Sequence, residues 1–567
     1  MENFFTDNPD IQWHFENLDL EELAWELEEG YTQSAQYDDA PASYADAREG
    51  YRAVMEMVGA IAAQEIAPLA AEVDREGAHF EDGEVRYAAG TQRALEILKQ
   101  AGLMAFTLPR RYGGLNFPGL LYTMATEMIS QADASLMNLF GLQDIAETIH
   151  EYGDEPLKEK YLPLFARGDV TGAMILTEPE AGSDLQSVRL KAVEQPDGTW
   201  RLYGVKRFIT NGCADVSLVL ARSEEGSVDG RGLSMFLCER SPELVIRRIE
   251  NKLGIHGSPT CELQFNGVPA VLVGQRRMGL IRYVMSLMNG ARVAVAAQAV
   301  GIAQAAYEEA RKYAEKRVQF RKRIIEFPQV YDMLARMKSE IQAARAITYE
   351  ASRLMDLRRL LERRQEGSRD PALRAHLKEL SAWTSVLTPM AKAYASEMSV
   401  RVAYDAIQIH GGPGYMRDFQ VERLWRDARI TTIYEGTTQL QVVGALGGIL
   451  SAALSQYLVS KGERDYRPEL AHLALAAREA RETLASSVAR LKALNDRDYT
   501  DYVSRRLVDM ACDCLAVHLL LDQAQRDPAR TLMAEKFITD AMPRIAMQAA
   551  YITRGDRLTI DRRAELI

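Results

Sequence analysis

The stretch Ala173-Met174-Ile175-Leu176-Thr177-Glu178-Pro179-Glu180-Ala181-Gly182-Ser183-Asp184 marks where this chain changes character. Its apolar start reads as a short strand, and the Pro, Gly and Ser that follow read as a turn. Upstream the pattern is helical. Tyr51, Val54, Met55, Val58, Ile61 and Ala62 recur at spacings of three and four, as one buried helix face requires. A break at Leu108-Pro109 and Tyr112-Gly113-Gly114 precedes a helix expected from Pro118 to Gln131, and another is expected from Asn138. Downstream, Val216–Leu220, Leu233–Leu237 and Glu262–Phe265 are further strand-like runs, separated by turn residues such as Gln195-Pro196-Asp197-Gly198. Helices return near residue 279. Val293, Ala296, Val300, Ala303, Tyr307, Ala310 and Ala314 then line one helix face. The charged run Arg358–Arg374 reads as an exposed turn region, and Pro389 suits the first turn of the next helix, which ends before Gly411-Gly412. Leu470, Leu473, Ala474, Ala477, Leu507, Met510 and Cys514 are core candidates of a last helical region.

The expected architecture is mostly α with a central β-domain. An acidic N-terminal arm (1–42) precedes an N-terminal helical domain (43–170), the β-domain (171–278), a helical bundle (279–450) and a C-terminal helical extension (451–567). Helices, then strands, then helices is not the alternation of a Rossmann sheet. Neither G-x-G-x-x-G nor a Walker A loop is present.

Composition narrows the function classes. The chain has 567 residues and a formal net charge of −12, which argues against nucleic acid as the main partner. Five cysteines lack metal-site or disulfide spacing, and no metal is expected. Residues 1–40 hold no Lys or Arg, yet carry Phe4, Phe5, Trp13, Phe15, Leu18, Leu20, Leu23, Trp25 and Leu27. That reads as an arm docking an apolar side on the body or on a neighbouring subunit. No apolar run approaches the ~20 residues of a membrane span. The acidic start lacks the marks of a secretory or mitochondrial leader, so a cytoplasmic placement is expected.

Four segments suggest chemistry. The Thr177–Asp184 turn can bring backbone N–H groups close to a ring or phosphate, though a plain acidic turn has the same letters. In Phe208-Ile209-Thr210-Asn211-Gly212, Phe208 and Thr210 share one strand face, suited to stacking on a planar group and bonding its edge; a strand corner with an Asn-Gly turn is the alternative. Gln408-Ile409-His410-Gly411-Gly412-Pro413-Gly414-Tyr415 reads as a helix cap or a close approach to a nucleotide. Trp425-Arg426-Asp427-Ala428-Arg429 leads into Ile433-Tyr434-Glu435-Gly436-Thr437-Thr438-Gln439, where a carboxylate beside Gly sits poorly in a simple helix, though an ordinary surface Glu is the default reading.

In this order and spacing the four resemble the acyl-CoA dehydrogenase family, over about residues 45–450. The resemblance implies FAD, held between the domains and a neighbouring subunit. It implies that Met174, Leu176, Thr177, Gly182 and Ser183, with Phe208, Ile209 and Thr210, border the flavin. Thr210 would bond N5. Arg317, Gln319 and Phe320 would reach the partner subunit's FAD, Gln408, Gly411 and Gly412 its adenine end, and Thr437 and Gln439 complete the site. Ser183, Asn289, Arg292 and Gly436 match positions that contact or organise acyl-CoA. Glu435 matches the catalytic base. In the family the base removes an α-proton, the β-hydride passes to FAD, and an electron-transfer flavoprotein takes the electrons. A water-poor cavity makes such a carboxylate a better base, and hydrogen bonds to the thioester oxygen stabilise the enolate.

The chain departs from the pattern at several points. Arg321 follows Phe320 where Gly is usual. Pro328 replaces a Gln, and Asn289 an acid. Met174 stands where many members have an aromatic residue, and Phe208 where Trp is common. Ala291 occupies the alternative base position of some subfamilies. Met137 stands where members acting on dicarboxylic acyl groups place Arg, which favours an uncharged acyl tail. The extension resembles that of dimeric members for longer chains, so a homodimer is expected. An acyl-CoA oxidase and a non-catalytic scaffold of the same family are the rival readings.

Overall fold

Capping starts the chain. Asn8 Oδ1 accepts from the N–H groups of Asp10 and Ile11 and opens α1 (Pro9–Glu16), which α2 (Glu21–Leu27) follows. The computed structural model describes residues 1–462 and 464–567. They form two compact units, Met1–Ala294 and Val295–Ile567.

In the first unit the acidic arm docks on its own chain. Phe5, Ile11, Phe15, Leu20 and Leu23 are buried. Gly59 of α3 (Tyr44–Ile61) permits the contact: a Cβ there would lie 2.2 Å from Asn3 Oδ1, and Phe4 N–H donates to the Gly59 carbonyl at 3.1 Å. Buried Glu28 meets buried Arg110, and Asn116 Nδ2 donates to the Leu27 carbonyl at 2.8 Å. Trp25, expected on the docked side, is 51% exposed; Trp13, Leu18 and Leu27 are half-buried. The run Tyr44–Glu76 is long and apolar enough, by length and composition, to cross a membrane, against the sequence reading. Its Met55, Val58, Ala62 and Ile66 are buried within the unit.

After α4 (Ala70–Glu76) a hairpin, β1 (His79–Glu81) and β2 (Glu84–Arg86), interrupts the region read as wholly helical. Asp82-Gly83 supplies two consecutive left-handed residues at its tip, the geometry a tight hairpin turn demands. Helices α5 (Ala89–Gln100), α6 (Gly119–Ala132), α7 (Ala134–Phe140), α8 (Gln143–Tyr152) and α9 (Glu155–Arg167) follow. Helix α7 begins at Ala134, before the expected Asn138, because Asp133 caps it through Ser135 N–H at 2.8 Å.

Seven strands come next: β3 (Gly172–Ile175), β4 (Lys191–Glu194), β5 (Trp200–Thr210), β6 (Val216–Arg222), β7 (Leu233–Glu239), β8 (Leu244–Ile249) and β9 (Thr260–Val273). The ladder closes on itself as β6–β4–β5–β9–β7–β6, with β3 beside β6 and β8 beside β9. Closure pairs both sides of the five ring strands, and Leu202, Ile209, Val219, Phe236, Leu263 and Phe265 share a buried cluster.

Helix α10 (Met285–Lys316) runs from the first unit into the second. All seven residues expected on its buried face are buried, as are Ala297, Ala299, Ile302 and Ala306, so burial extends beyond one stripe. The hairpin β10 (Val318–Gln319) and β11 (Lys322–Arg323) leads to α11 (Pro328–Gln365) and α12 (Pro371–His410). The turn between these helices is only 366–370; the Arg358–Gln365 part of the charged run stays helical because Leu360 and Leu361 anchor it. Pro371, not Pro389, opens α12. Pro389 lies inside the helix, where Gly444 and Gly448 of α14 (Thr438–Leu450) admit α12: Cβ atoms there would lie 3.6 Å from Pro389 and 2.6 Å from Val386. Helix α13 (Val421–Ile430) precedes α14, and α15 (Ala453–Gly462), α16 (Ala471–Leu494), α17 (Arg497–Arg526) and α18 (Thr531–Arg554) build the extension. Its core candidates are buried except Ala474, which is half-buried.

Candidate functional site

In the first unit, two of the four segments meet at the mouth of the barrel. Strand β5 pairs Lys206 with Leu263 and Ile209 with Cys261, so three steps on β5 match two on β9. This bulge puts Phe208 at φ +60 with the residue 52% exposed, while Ile209 turns into the core. Thr210, two residues on, is half-buried. A left-handed phenylalanine is costly, and such strain collects at functional sites. The guanidinium of Arg207 covers the ring at 4.6 Å.

The Thr177–Asp184 turn is tied to this strand. Arg207 N–H donates to the Thr177 carbonyl at 3.0 Å. The fully buried Lys206 ammonium donates to the Leu176 carbonyl at 2.6 Å and pairs with Glu178 Oε1 at 3.0 Å. The Glu178 carboxylate also accepts from the N–H groups of Arg189 and Leu190 at 2.8 and 2.9 Å. Burial lowers the Lys206 ammonium to about 8, with Glu178 opposing the fall. Gly182 and Ser183 end the turn exposed; Met174 and Thr177 are half-buried and Leu176 is buried. Asn211, at φ +53, closes the corner: its Nδ2 donates to the Gly172 carbonyl at 3.0 Å, and its Oδ1 accepts from Tyr87. The Asn-Gly corner and the aromatic face therefore coexist. Asn289 and Arg292, on α10, are half-buried and joined at 3.2 Å.

In the second unit the loop between α13 and α14 carries Glu435 at φ +54, followed by Gly436 at +88. At that φ an L-residue is strained, and a Cβ on Gly436 would lie 2.7 Å from Gln441 Nε2 and push that amide aside. That amide donates to the carbonyls of Glu435 (3.1 Å) and Gly436 (2.9 Å). Lys392 of α12, fully buried, donates to the Gly436 carbonyl at 2.7 Å. Tyr434 donates its hydroxyl to Gln298, and burial pushes its phenol far up. Thr437 caps α14 through Leu440 N–H, and Thr438 Oγ1 donates to Glu397 at 2.8 Å. Glu435 thus stands just ahead of a helix N-terminus, where the helix dipole favours negative charge. Gln439 is exposed.

The remaining candidates lie elsewhere in this unit. Gln408, Gly411 and Gly412 sit at the far end of α12, about 24 Å along the helix from Lys392. All three are exposed, and a Cβ on either glycine would meet nothing within 4 Å, which leaves room for a ligand. Tyr313 of α10 stacks on His410 at 4.3 Å, so the α10 end and the Gly411 turn are neighbours. Beyond Tyr313, the β10–β11 hairpin presents Arg317, Gln319 and Phe320, all exposed, Phe320 by 89%. Phe320 and Arg321 take φ +52 and +68, so the position where Gly is usual is left-handed here too.

The sequence reading missed Lys206, Lys392 and Gln441. A lone Lys inside Val386–Ala395, an otherwise apolar helical run, was the available signal for Lys392. In the first unit the exposed Phe208 and the half-buried hydroxyls of Thr177 and Thr210 fit a planar ring; in the second the unobstructed Gly411 and Gly412 turn fits a close approach to a nucleotide.

Four family descriptions match the chain: acyl-CoA dehydrogenase N-terminal domain at residues 48–169, middle domain at 173–268, C-terminal domain at 281–443, and "acyl-CoA dehydrogenase C terminal" at 453–557. The 3-methylmercaptopropionyl-CoA dehydrogenase of Ruegeria pomeroyi is 35% identical over 426 residues, 70% of each chain. A solved chain described with the electron transferring flavoprotein of Acidaminococcus fermentans superposes with TM-score 0.61 at 33% identity, covering 71% of this chain and 97% of that one. The Bacillus anthracis acyl-CoA dehydrogenase complexed with FAD shares the fold over 89% of this chain and 88% of its own, with TM-score 0.75 and 24% identity.

Proposed function

The chain belongs to the acyl-CoA dehydrogenase family, an FAD-dependent oxidoreductase acting on acyl-CoA, and from that premise we propose that it converts an acyl-CoA to the trans-2-enoyl-CoA with Glu435 as the base. The observation that carries the reading is Glu435 itself: a carboxylate on a left-handed loop whose Glu435 and Gly436 carbonyls accept from Gln441 and Lys392, set ahead of a helix N-terminus.

In this reading the Glu435 carboxylate takes the α-proton, and its backbone N–H supports the thioester oxygen as charge develops there. Bound FAD supplies the acceptor for the β-hydride. Phe208, Thr210 and the Thr177–Ser183 turn hold the flavin, while Arg317, Gln319, Phe320, Gln408, Gly411 and Gly412 serve its nucleotide end across a subunit boundary. Thr437 and Gln439 complete its site. Ser183, Asn289, Arg292 and Gly436 organise the acyl-CoA. Met137, buried on α7, supports an uncharged acyl tail, and the C-terminal extension supports a medium or longer one. The likeness to a chain studied with an electron transferring flavoprotein supports such a protein as electron acceptor. The extension supports a homodimer, and a role in cytoplasmic β-oxidation belongs to the same reading.

The test is an anaerobic titration of the holoenzyme with saturated acyl-CoAs of graded length, following flavin absorbance. Bleaching by one class is expected. Glu435→Gln should keep its flavin and lose turnover by about 10²-fold or more; near-parental turnover in that variant sinks the assignment.

A further inference from the structure

We propose that Lys392 is a positioning residue for Glu435: its buried ammonium holds the Gly436 carbonyl and thereby keeps the Glu435 loop in its left-handed conformation. The inference rests on the reading of Glu435 as the base.

A lysine with no exposed surface, between Ala391 and Ala393 on a helix whose neighbours Val386, Leu387, Met390 and Ala395 are also buried, is expensive to keep. Packing alone would be served by an uncharged side chain of the same length. The ammonium reaches a backbone carbonyl 44 positions along the chain, at 2.7 Å, as a charge-assisted bond. That carbonyl also accepts from Gln441 Nε2 at 2.9 Å, so both its lone pairs are engaged. Gln441 holds the Glu435 carbonyl as well, at 3.1 Å. The peptides on either side of Gly436 are thus pinned from α12 and α14, while Tyr434 and Gln298 pin the approach to the loop.

The loop needs such restraint. Glu435 at φ +54 is in a conformation L-residues rarely adopt, and it persists only where the surroundings over-determine it. Rotation of the Gly436–Thr437 peptide would swing its carbonyl off the ammonium and leave the charge buried with one acceptor fewer. The lysine therefore penalises the rotation that would let Glu435 relax and turn its carboxylate. Positioning of this kind acts on the chemical step, because a base displaced by an ångström loses much of its rate.

Lys392→Met preserves length and removes the charge. In anaerobic single-turnover experiments with the holoenzyme and a saturated acyl-CoA that bleaches the parent, the rate constant of flavin reduction should fall about 10- to 100-fold, the loss of one charge-assisted hydrogen bond. The bleaching amplitude should stay full and the substrate dissociation constant move less than about threefold. Amide exchange at Gly436–Thr438 should quicken, a readout independent of turnover. If Lys392→Met does not fold, Gln441→Met removes only neutral donors to the same carbonyls and should shift the rate constant in the same direction by less. A parental rate constant in the folded variant, or a loss confined to amplitude or flavin content, overturns the proposal. Glu435→Gln in the same series separates the two readings. A parental rate there refutes the base; a dead Glu435→Gln beside unchanged Lys392→Met and Gln441→Met refutes the clamp alone.

Discussion

Lys206→Met should loosen the Thr177–Asp184 turn, proposed above to hold the flavin, while leaving the barrel closed. Lys206 and Glu178 form a buried ion pair at 3.0 Å, and Lys206 adds a 2.6 Å bond to the Leu176 carbonyl. The substitution leaves the Glu178 carboxylate in place with only the N–H groups of Arg189 and Leu190. Breaking a buried pair by removing one partner costs about 3–5 kcal/mol. The two retained N–H bonds put this case at the lower end, about 3 kcal/mol. At about 2–4 °C per kcal/mol, the thermal transition of the first unit should fall by about 6–12 °C. The loss concentrates on Thr177–Ser183, so flavin retained through gel filtration should drop too. Combining Lys206→Met with Glu178→Gln should cost less than the two single changes summed, by about 1–3 kcal/mol, because the second removes the stranded charge. The assay is thermal unfolding of all three variants alongside flavin content. A Lys206→Met protein within 1 kcal/mol of the parent, with its flavin intact, would refute the claim that this pair holds the turn.

Two further outcomes follow from residues outside the Thr177–Asp184 turn. His256 meets the Asp74 carboxylate at 2.9 Å through Nδ1 and the Lys252 carbonyl at 2.9 Å through Nε2, and the Asp74 bond raises it to about 8. Its folded value lies above the ordinary 6.5, so the stabilisation is complete below pH 6.5 and is lost as pH rises through 8. His256→Phe should therefore lose about 1–2 kcal/mol at pH 6 and little at pH 9, read as two thermal transitions; equal losses at both pH values contradict it. Arg321→Gly should stabilise the β10–β11 hairpin by about 1 kcal/mol, because glycine takes φ +68 without the Cβ penalty; a lower melting temperature in that variant would count against strain at this turn.

The helical, strand and helical regions were legible because each period repeats over many residues, and because Thr177–Asp184 and Phe208–Gly212 combine turn formers with polar groups at short range. Local pattern showed only that Glu435 beside Gly436 sits poorly in a simple helix; its proposed role came from the family resemblance. Other features lay beyond local pattern. Pro389 reads as a helix start, yet α12 runs through it, since packing of α14 on that face outweighs one missing N–H. The bulge that exposes Phe208 is a mismatch between β5 and β9, and no single strand encodes it. The partners of Lys206 and Lys392 are a carboxylate and carbonyls 28 to 44 residues away, so their bonds exist only once the barrel and the α12–α14 pair have formed. Sequence by itself determined the family and the order of helical, strand and helical regions. Tertiary structure alone decided what holds the Thr177–Asp184 turn and the Glu435 loop, because a buried charge is tolerated only where the fold delivers its partner.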